Sequence, residues 1–269
     1  MSELFMRFPG FKTKAVTLSY DDGKIFDRKM IEILNHYGVK CTFNLNSKYL
    51  NSDGTVTTDE INSLYKGHEI AVHTYSHPHL ENLDDAVIAN EIIKDREILE
   101  GITQKIIKGM AYPFGLNDDR VLNILRNCGI EYARTTRCTS NFSLPQDFLK
   151  WNPTCHHGSP NINEWIEKFL EDEDWQHPWR ITAKVFYIWG HSYEFENQFE
   201  VLEDICKKLG KKNNVWYATN GEIYNYVSQY KKLKFSANGK IIYNPTSTDL
   251  YFYLNNKDYE LHSGEIIAI

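Results

Sequence analysis

The sequence predicts an α/β fold: a barrel of parallel strands with helices outside it, followed by a small C-terminal antiparallel β appendage. Three observations carry this. Apolar strand-like runs alternate with amphipathic helix-like runs for most of the chain, the pattern of repeated βα units. The length of 269 residues suits one barrel of roughly 250 residues with a modest addition. From about residue 231 the texture changes to short alternating segments around Asn238-Gly239, a strong hairpin signal. The expected division is residues 1–230 for the barrel and 231–269 for an appendage packed on it, because a few strands alone are marginal.

Taken in order, residues 14–20 (KAVTLSY) read as a buried strand. Residues 27–37 read as a helix with Met30, Ile33, Leu34 and Tyr37 on one face, closed by Gly38. Residues 40–46 form the next strand, 58–66 a helix capped by Thr58, and 68–73 a third strand. A long amphipathic helix follows at 84–100, built on Val87, Ile88, Ile92 and Leu99. Then come a short strand at 109–112, a helix at 118–128 closed by Gly129, and a strand at 131–136. Residues 163–170 are helical, 184–189 (KVFYIW) a strand, 196–209 a helix closed by Gly210, 215–218 a strand and 222–230 a helix.

Composition narrows the function classes. With 42% hydrophobic and 25% charged residues the chain is ordinary globular material. A net charge of -6 argues against a nucleic-acid-binding protein, which carries a basic face. Aromatic residues at 14% suit a packed core or a sugar-facing groove equally. The five cysteines, Cys41, Cys128, Cys138, Cys155 and Cys206, include no CxxC pair. They read as free thiols of a reducing compartment. No stretch approaches the ~20 apolar residues that cross a membrane. The opening MSELFMRFPGFKTKAV lacks a secretory pattern, so the expected location is cytoplasmic.

Four polar clusters lie just past predicted strand ends: Asp21-Asp22-Gly23, His73 to His77 (HTYSH), Tyr112-Pro113-Phe114-Gly115 and Gly190-His191-Ser192. In a parallel barrel these ends meet at one rim, where such folds place their sites. Singly, each has a plain alternative. Asp-Asp-Gly is commonly a turn, and Tyr-Pro-Phe-Gly another. His-x-x-x-His brings both imidazoles to one side of a helical turn, as one tetrahedral metal needs, or is two surface histidines. Position 74 is Thr, so this is not HExxH. Jointly, a carboxylate and two histidines make a three-ligand site with an open position for water. The second carboxylate is then a candidate base and the distant histidine a candidate acid, the makings of metal-assisted hydrolysis.

TLSYDDG, HTYSHPHL, AYPFG and WGHS, in that order, resemble the polysaccharide deacetylases, the NodB-homology enzymes of carbohydrate esterase family four. The resemblance spans residues 14–221. It implies a distorted (β/α)7-type barrel that removes acetyl groups from N-acetylated or O-acetylated sugars with a divalent metal, zinc first, with cobalt, nickel or manganese as alternatives. It implies Asp21 as general base, Asp22, His73 and His77 as metal ligands, and His191 as general acid. Thr74 would hold the two imidazoles. Pro113, Phe114 and Gly115, with Tyr112 before them, would shape a groove wall, the Phe114 N–H facing the oxyanion.

The chain also departs from that pattern. The family's Arg two residues before the motif Pro is Ala111 here, and Arg134 or Arg137 is a candidate replacement, Arg134 being also a candidate substrate contact. Tyr20 stands where Phe is usual. The acidic residue before a groove Trp that orients the acid histidine has only Asp147 and Trp151 as counterparts, at the wrong spacing. Trp151 and Tyr193, near loops, are candidate sugar-stacking platforms, whereas Trp189 reads as core. Adjacent His156 and His157 suit a lining or structural role, since neighbours on a strand face opposite ways. His79 is expected to face solvent. Two other functions stay open: a metal amidohydrolase on a small cyclic or linear amide, signalled by Ala111, and a non-catalytic carbohydrate-binding protein.

Overall fold

The computed structural model describes residues 4–171 and 181–269. In chain order the elements are β1 (Phe5–Arg7), β2 (Lys14–Asp21), α1 (Asp27–Tyr37), β3 (Cys41–Leu45), α2 (Ile61–Leu64), β4 (Glu69–Val72) and α3 (Asp85–Thr103). They continue with β5 (Gly109–Ala111), α4 (Asp119–Asn127), β6 (Tyr132–Arg134), β7 (Cys155–His156), α5 (Ile162–Leu170), β8 (Lys184–His191), α6 (Phe199–Leu209), β9 (Val215–Tyr217) and α7 (Asn220–Tyr230). The C-terminal strands are β10 (Lys234–Phe235), β11 (Ile241–Tyr243), β12 (Leu250–Leu254), β13 (Lys257–Leu261) and β14 (Ile266–Ala268).

The parallel sheet runs β6-β5-β4-β3-β2-β8-β7, with β9 added against β2. All eight residues of β2 are buried, as a central strand covered on both faces should be. One edge of β2 pairs β8 along its whole length. The other pairs β9 through Lys14–Val16 and β3 through Leu18–Asp21. The segment 151–157 spans the gap between β6 and β8. Trp151 N–H donates to Ala133 O at 3.0 Å, while Thr154 and His157 N–H donate to Tyr187 O and Trp189 O at 2.8 and 2.9 Å. This irregular seam distorts the barrel and brings residues 151–157 to its rim.

The helices start and stop for local reasons. Gly38 at φ 68° ends α1 in the left-handed conformation. Asp118 accepts the Val121 N–H at the start of α4, and Thr219 with Glu222 forms a capping box on α7. The expected helix at 58–66 shrinks to the single turn Ile61–Leu64. There the Glu60 carboxylate accepts the Thr57 N–H and pairs with Arg28, which fixes residues 57–60 as a turn. The start of α6 moves to Phe199 because His191 opens its own short turn, Ser192–Phe195.

The appendage comprises two three-stranded antiparallel sheets, β1-β12-β13 and β10-β11-β14. The Asn238-Gly239 turn joins β10 to β11, with Gly239 at φ 70°. One assignment changes: β1, expected within the barrel, pairs Phe5 with Tyr253 on β12. A three-residue strand has no visible period, and its partner lies at the far end of the chain. Tyr226 fastens the two parts, its hydroxyl donating to Arg7 O at 2.6 Å and accepting the Tyr251 N–H at 3.0 Å. All five cysteines are free. Among the described residues no helix is long and apolar enough to cross a membrane.

Beneath the rim, fully buried Asp27 accepts the Tyr65 hydroxyl at 2.6 Å. Burial raises its carboxyl from 3.8 to about 7, against the pull of its hydrogen bonds. The native state therefore keeps a proton that the unfolded chain releases. That stabilisation is complete below pH ~4 and is lost as pH rises through about 7. Urea midpoints measured between pH 4 and 8 are expected to fall less steeply in Asp27→Asn than in the wild type.

Candidate active site

The parallel register does the first work. It pairs Asp21 at the end of β2 with Asn44 on β3 and His191 on β8. Asp21 Oδ1 accepts Asn44 Nδ2 at 2.9 Å, and Oδ2 meets the Arg134 guanidinium. Arg134 is 1% exposed and lies over the Trp189 ring, 4.7 Å from its centroid. Burial alone would raise the Asp21 carboxyl, but Arg134, with His73 and His191, holds it below its ordinary value. The missing motif Arg is thus replaced from the adjacent strand, since Ala111 and Arg134 are register partners on β5 and β6. Arg137 is exposed and takes no part. Arg134, offered as a substrate contact, acts on Asp21 instead because its buried side chain presents nothing to a groove.

His73 follows β4. Its Nδ1 contacts Ala111 O at 2.8 Å, so it carries the proton and leaves the Nε2 lone pair free. Nε2 lies 3.7 Å from Asp21 Oδ2 and 3.9 Å from Asp22 Oδ1. The His77 ring stands 4.8 Å from that of His73. Burial, then the neighbouring His73, lowers the His77 pKa, which favours the neutral ring that ligates metal. Ligand atoms of Asp22, His73 and His77 all lie within 4.8 Å of one another. One carboxylate and two neutral imidazoles, one already oriented by a carbonyl, fit a divalent borderline ion such as zinc.

These histidines do not converge on a helical turn. They lie on a loop whose Thr74 and His77 adopt φ of 66° and 57°, and Asp22 shares this conformation at 79°. Such values strain non-glycine residues and persist where surroundings enforce them. Thr74 Oγ1 accepts the His77 N–H at 3.0 Å, the bracing role expected of it. Asn46 donates to His73 O and Thr74 O at 2.6 and 2.8 Å. Asp95 accepts the His73 N–H at 3.1 Å, and Glu91 accepts the Ser76 N–H and hydroxyl. Asn44, Asn46, Glu91 and Asp95 carry no motif of their own and become visible only through these contacts.

His191 ends β8 with Nε2 4.0 Å from Asp21 Oδ2. Burial lowers its pKa, but Glu194 and the charges of Asp21 and Asp22 outweigh this and raise it. Asp147 is elsewhere, capping Leu149 and pairing with Arg126 at 3.1 Å. The carboxylate near His191 is Glu194, 3.4 Å from Nδ1. Its sequence signal is the HSYE spacing, in which the Glu194 carboxylate three residues on reaches back to accept the His191 backbone N–H. His156 and His157 do not face apart, because β7 ends at His156 and strand alternation stops there. Their rings lie 4.3 Å apart, and both Nε2 atoms face Glu194.

The proposed substrate contacts divide. Phe114 is 49% exposed at φ 58°, stacked 3.9 Å from His79 and edge-on to His77. Exposed His79 therefore has one ring face covered. Gly115, at φ 73°, is required, since a Cβ would fall 2.6 Å from Thr136 N. Tyr193 is 39% exposed, its ring 5.1 Å from that of His191. Trp151 is 2% exposed, packed edge-on against Phe148 and Tyr187, and cannot stack on a sugar. Its segment is the seam between β6 and β8, not a loop. The Tyr112 and Pro113 side chains are also buried, with the Tyr112 hydroxyl on Leu149 O at 2.8 Å, so they support the wall from behind.

Comparison with known proteins places this geometry. Residues 9–133 match the family described as polysaccharide deacetylase. A peptidoglycan-N-acetylglucosamine deacetylase of Bacillus cereus is 34% identical over 111 residues, 40% of this chain and 39% of that protein. The chain spans less than two thirds of the length of six curated relatives that it matches. Among solved structures, a putative polysaccharide deacetylase from Mycobacterium smegmatis superposes with a TM-score of 0.63 at 17% identity, covering 86% of this chain and 96% of that one. A family 4 acetyl xylan esterase from Clostridium thermocellum, in complex with a cobalt ion, superposes with a TM-score of 0.54 at 18% identity, covering 78% and 90%. These two likenesses are of fold. The sequence match over residues 9–133, less than half of the chain, makes that segment similar to the polysaccharide deacetylase family.

Proposed function

We propose that this protein is a metal-dependent hydrolase that removes acetyl groups from N-acetylated, or O-acetylated, sugars or oligosaccharides. One observation carries the reading. A carboxylate held ionised by Arg134 stands beside the Asp22, His73 and His77 group, with His191 Nε2 4.0 Å away. Asp22, His73 and His77 would hold the ion, zinc first, with cobalt, nickel or manganese acceptable to the same donors. When bound, a divalent ion polarises the acetyl carbonyl and lowers the pKa of water toward ~7.

The chain's own groups supply the rest. Asp21, ionised and fixed by Asn44 and Arg134, takes the proton of the attacking water at its carboxylate. The Phe114 backbone N–H faces the developing oxyanion. His191, protonated, donates from Nε2 to the departing amine nitrogen, or sugar oxygen, as its bond to the acetyl carbon breaks. Asp21 and His191 stand 4.0 Å apart, a gap that one water bridges, so the proton gathered by Asp21 returns to His191 through such a water and the cycle closes with acetate and the deacetylated sugar as products. Phe114 beside His77 and Tyr193 beside His191, both exposed, suit the apolar faces of a sugar ring.

Arg134 weakens the case for the amide alternative, because the departure at Ala111 that suggested it is compensated within the same site. Metal-replete protein is expected to release acetate and free amine in equal amounts from N-acetylglucosamine oligomers, and to leave ureides and lactams untouched. Turnover of the small amides with none of the sugars would replace the proposal.

A further inference from the structure

Glu194 is the third residue of the turn Ser192–Phe195 that His191 opens. Its Oε2 gathers nitrogens from three histidines. The His191 N–H donates at 3.0 Å and His156 Nε2 lies at 3.1 Å, while His157 Nε2 and His191 Nδ1 each lie at 3.4 Å. The His156 tautomer follows from its other nitrogen. Nδ1 accepts the Gly158 N–H at 3.1 Å, so the neutral ring carries its proton on Nε2 and donates to Glu194. His157 is buried, stacked on Tyr20 at 7° and 4.2 Å from Phe195. Gly190 admits it, since a Cβ there would lie 2.0 Å from His157 Nδ1.

His156, His191 and Glu194 also bring ligand atoms within 4.8 Å of one another, a spacing that suits a metal. The Gly158 N–H decides against that use, because ligation would need a lone pair on the nitrogen that carries the proton. A carboxylate fixed from two sides is the better description. We propose that Glu194, clamped by His156, is a positioning residue that holds His191 with Nδ1–H toward Glu194 and Nε2 toward Asp21. This rests on the reading of His191 as general acid. At 3.4 Å the Nδ1 contact is longer than a formed hydrogen bond and closes when the ring is protonated.

The other charged and titratable groups facing His191 are Asp21 and Asp22 from the end of β2, His157 from beyond β7, and Tyr193 on its own turn. Asp21 faces Nε2 at 4.0 Å, while Glu194 faces Nδ1 at 3.4 Å. A cavity of about 250 Å³, lined by His156, His157, Glu194 and Phe195, borders the carboxylate and leaves room for substitution at His156.

Four variants of the metal-replete protein test this: Glu194→Gln, Glu194→Asp, His156→Gln and His156→Phe. Glu194→Gln is expected to lower kcat roughly 10–100-fold with KM little changed, the usual cost of losing a partner that orients a working group. The alkaline limb of the rate, where His191 loses its proton, is expected at lower pH by about one unit. Glu194→Asp should restore part of kcat. His156→Gln, which keeps an N–H donor, should retain most of it, and His156→Phe should not. The His191 ring nitrogen resonances should change in Glu194→Gln whether or not substrate turns over. Unchanged resonances and an unchanged pH limb in folded Glu194→Gln would overturn the proposal, as would a second bound metal lost in His156→Phe. Full hydrolysis by His191→Ala would instead overturn the assignment of the acid, with the resonance change still reporting the clamp.

Discussion

Asp21→Asn is expected to reduce acetate release by on the order of 10²–10⁴, the contribution of a positioned general base. The substitution keeps the shape of the side chain and its contact with Asn44, and removes only the proton acceptor. It also leaves Arg134 buried without a counter-charge, which costs on the order of 3–5 kcal/mol. Rates are therefore compared at a temperature where near-ultraviolet circular dichroism shows the variant folded. Wild-type rates in a folded Asp21→Asn protein would remove Asp21 from the mechanism.

Arg134→Met attacks the same pair from the other side, and its effect depends on pH. Burial pushes the Asp21 carboxyl up, and Arg134 reverses this in the native protein. Because the folded value is depressed, the stabilisation is present above the ordinary carboxylate range, near ~4. It is lost as pH falls through the native value. Without Arg134 the largest opposing charge is gone, so the carboxyl titrates higher than in the wild type, with His73 and His191 alone left to hold it down. The acid limb of the pH–rate profile is then expected at higher pH than in the wild type, with stability at pH 7 lower by about 3–5 kcal/mol. The double variant Asp21→Asn/Arg134→Met removes both charges. It should regain much of the stability lost by either single variant and none of the activity. Strictly additive losses in stability would contradict the pairing.

How much of this was legible in the sequence follows from distance along the chain. The strand ends were legible because each polar cluster follows directly on its strand, and a parallel sheet carries such ends to one rim. Asp21, Asp22, His73, His77 and His191 all stand at or just past such ends. Arg134 was one of two candidates. Only the register of β5 against β6 selects it, by pairing it with Ala111. Trp151 was misplaced because an isolated bridge to Arg134 ties a segment that reads as a loop to the end of β6 and buries the ring. Glu194 was passed over because an acid before a tryptophan was sought, whereas the acid here follows its histidine by three residues. The convergence of His73 and His77 was expected from helical spacing and is achieved by left-handed backbone at Thr74 and His77, which residue spacing does not reveal. The strand β1 is too short for a period, and its pairing with β12 spans nearly the whole sequence.

The most direct measurement is a metal titration of stripped protein, with acetate release from N-acetylglucosamine oligomers followed as divalent ion is added. The rate is expected to rise in proportion to added metal and to saturate at one equivalent per chain, with no rise in His73→Ala. A rate that is independent of metal, or no acetate at any metal content, would contradict the assignment of Asp22, His73 and His77 as the centre of a deacetylase.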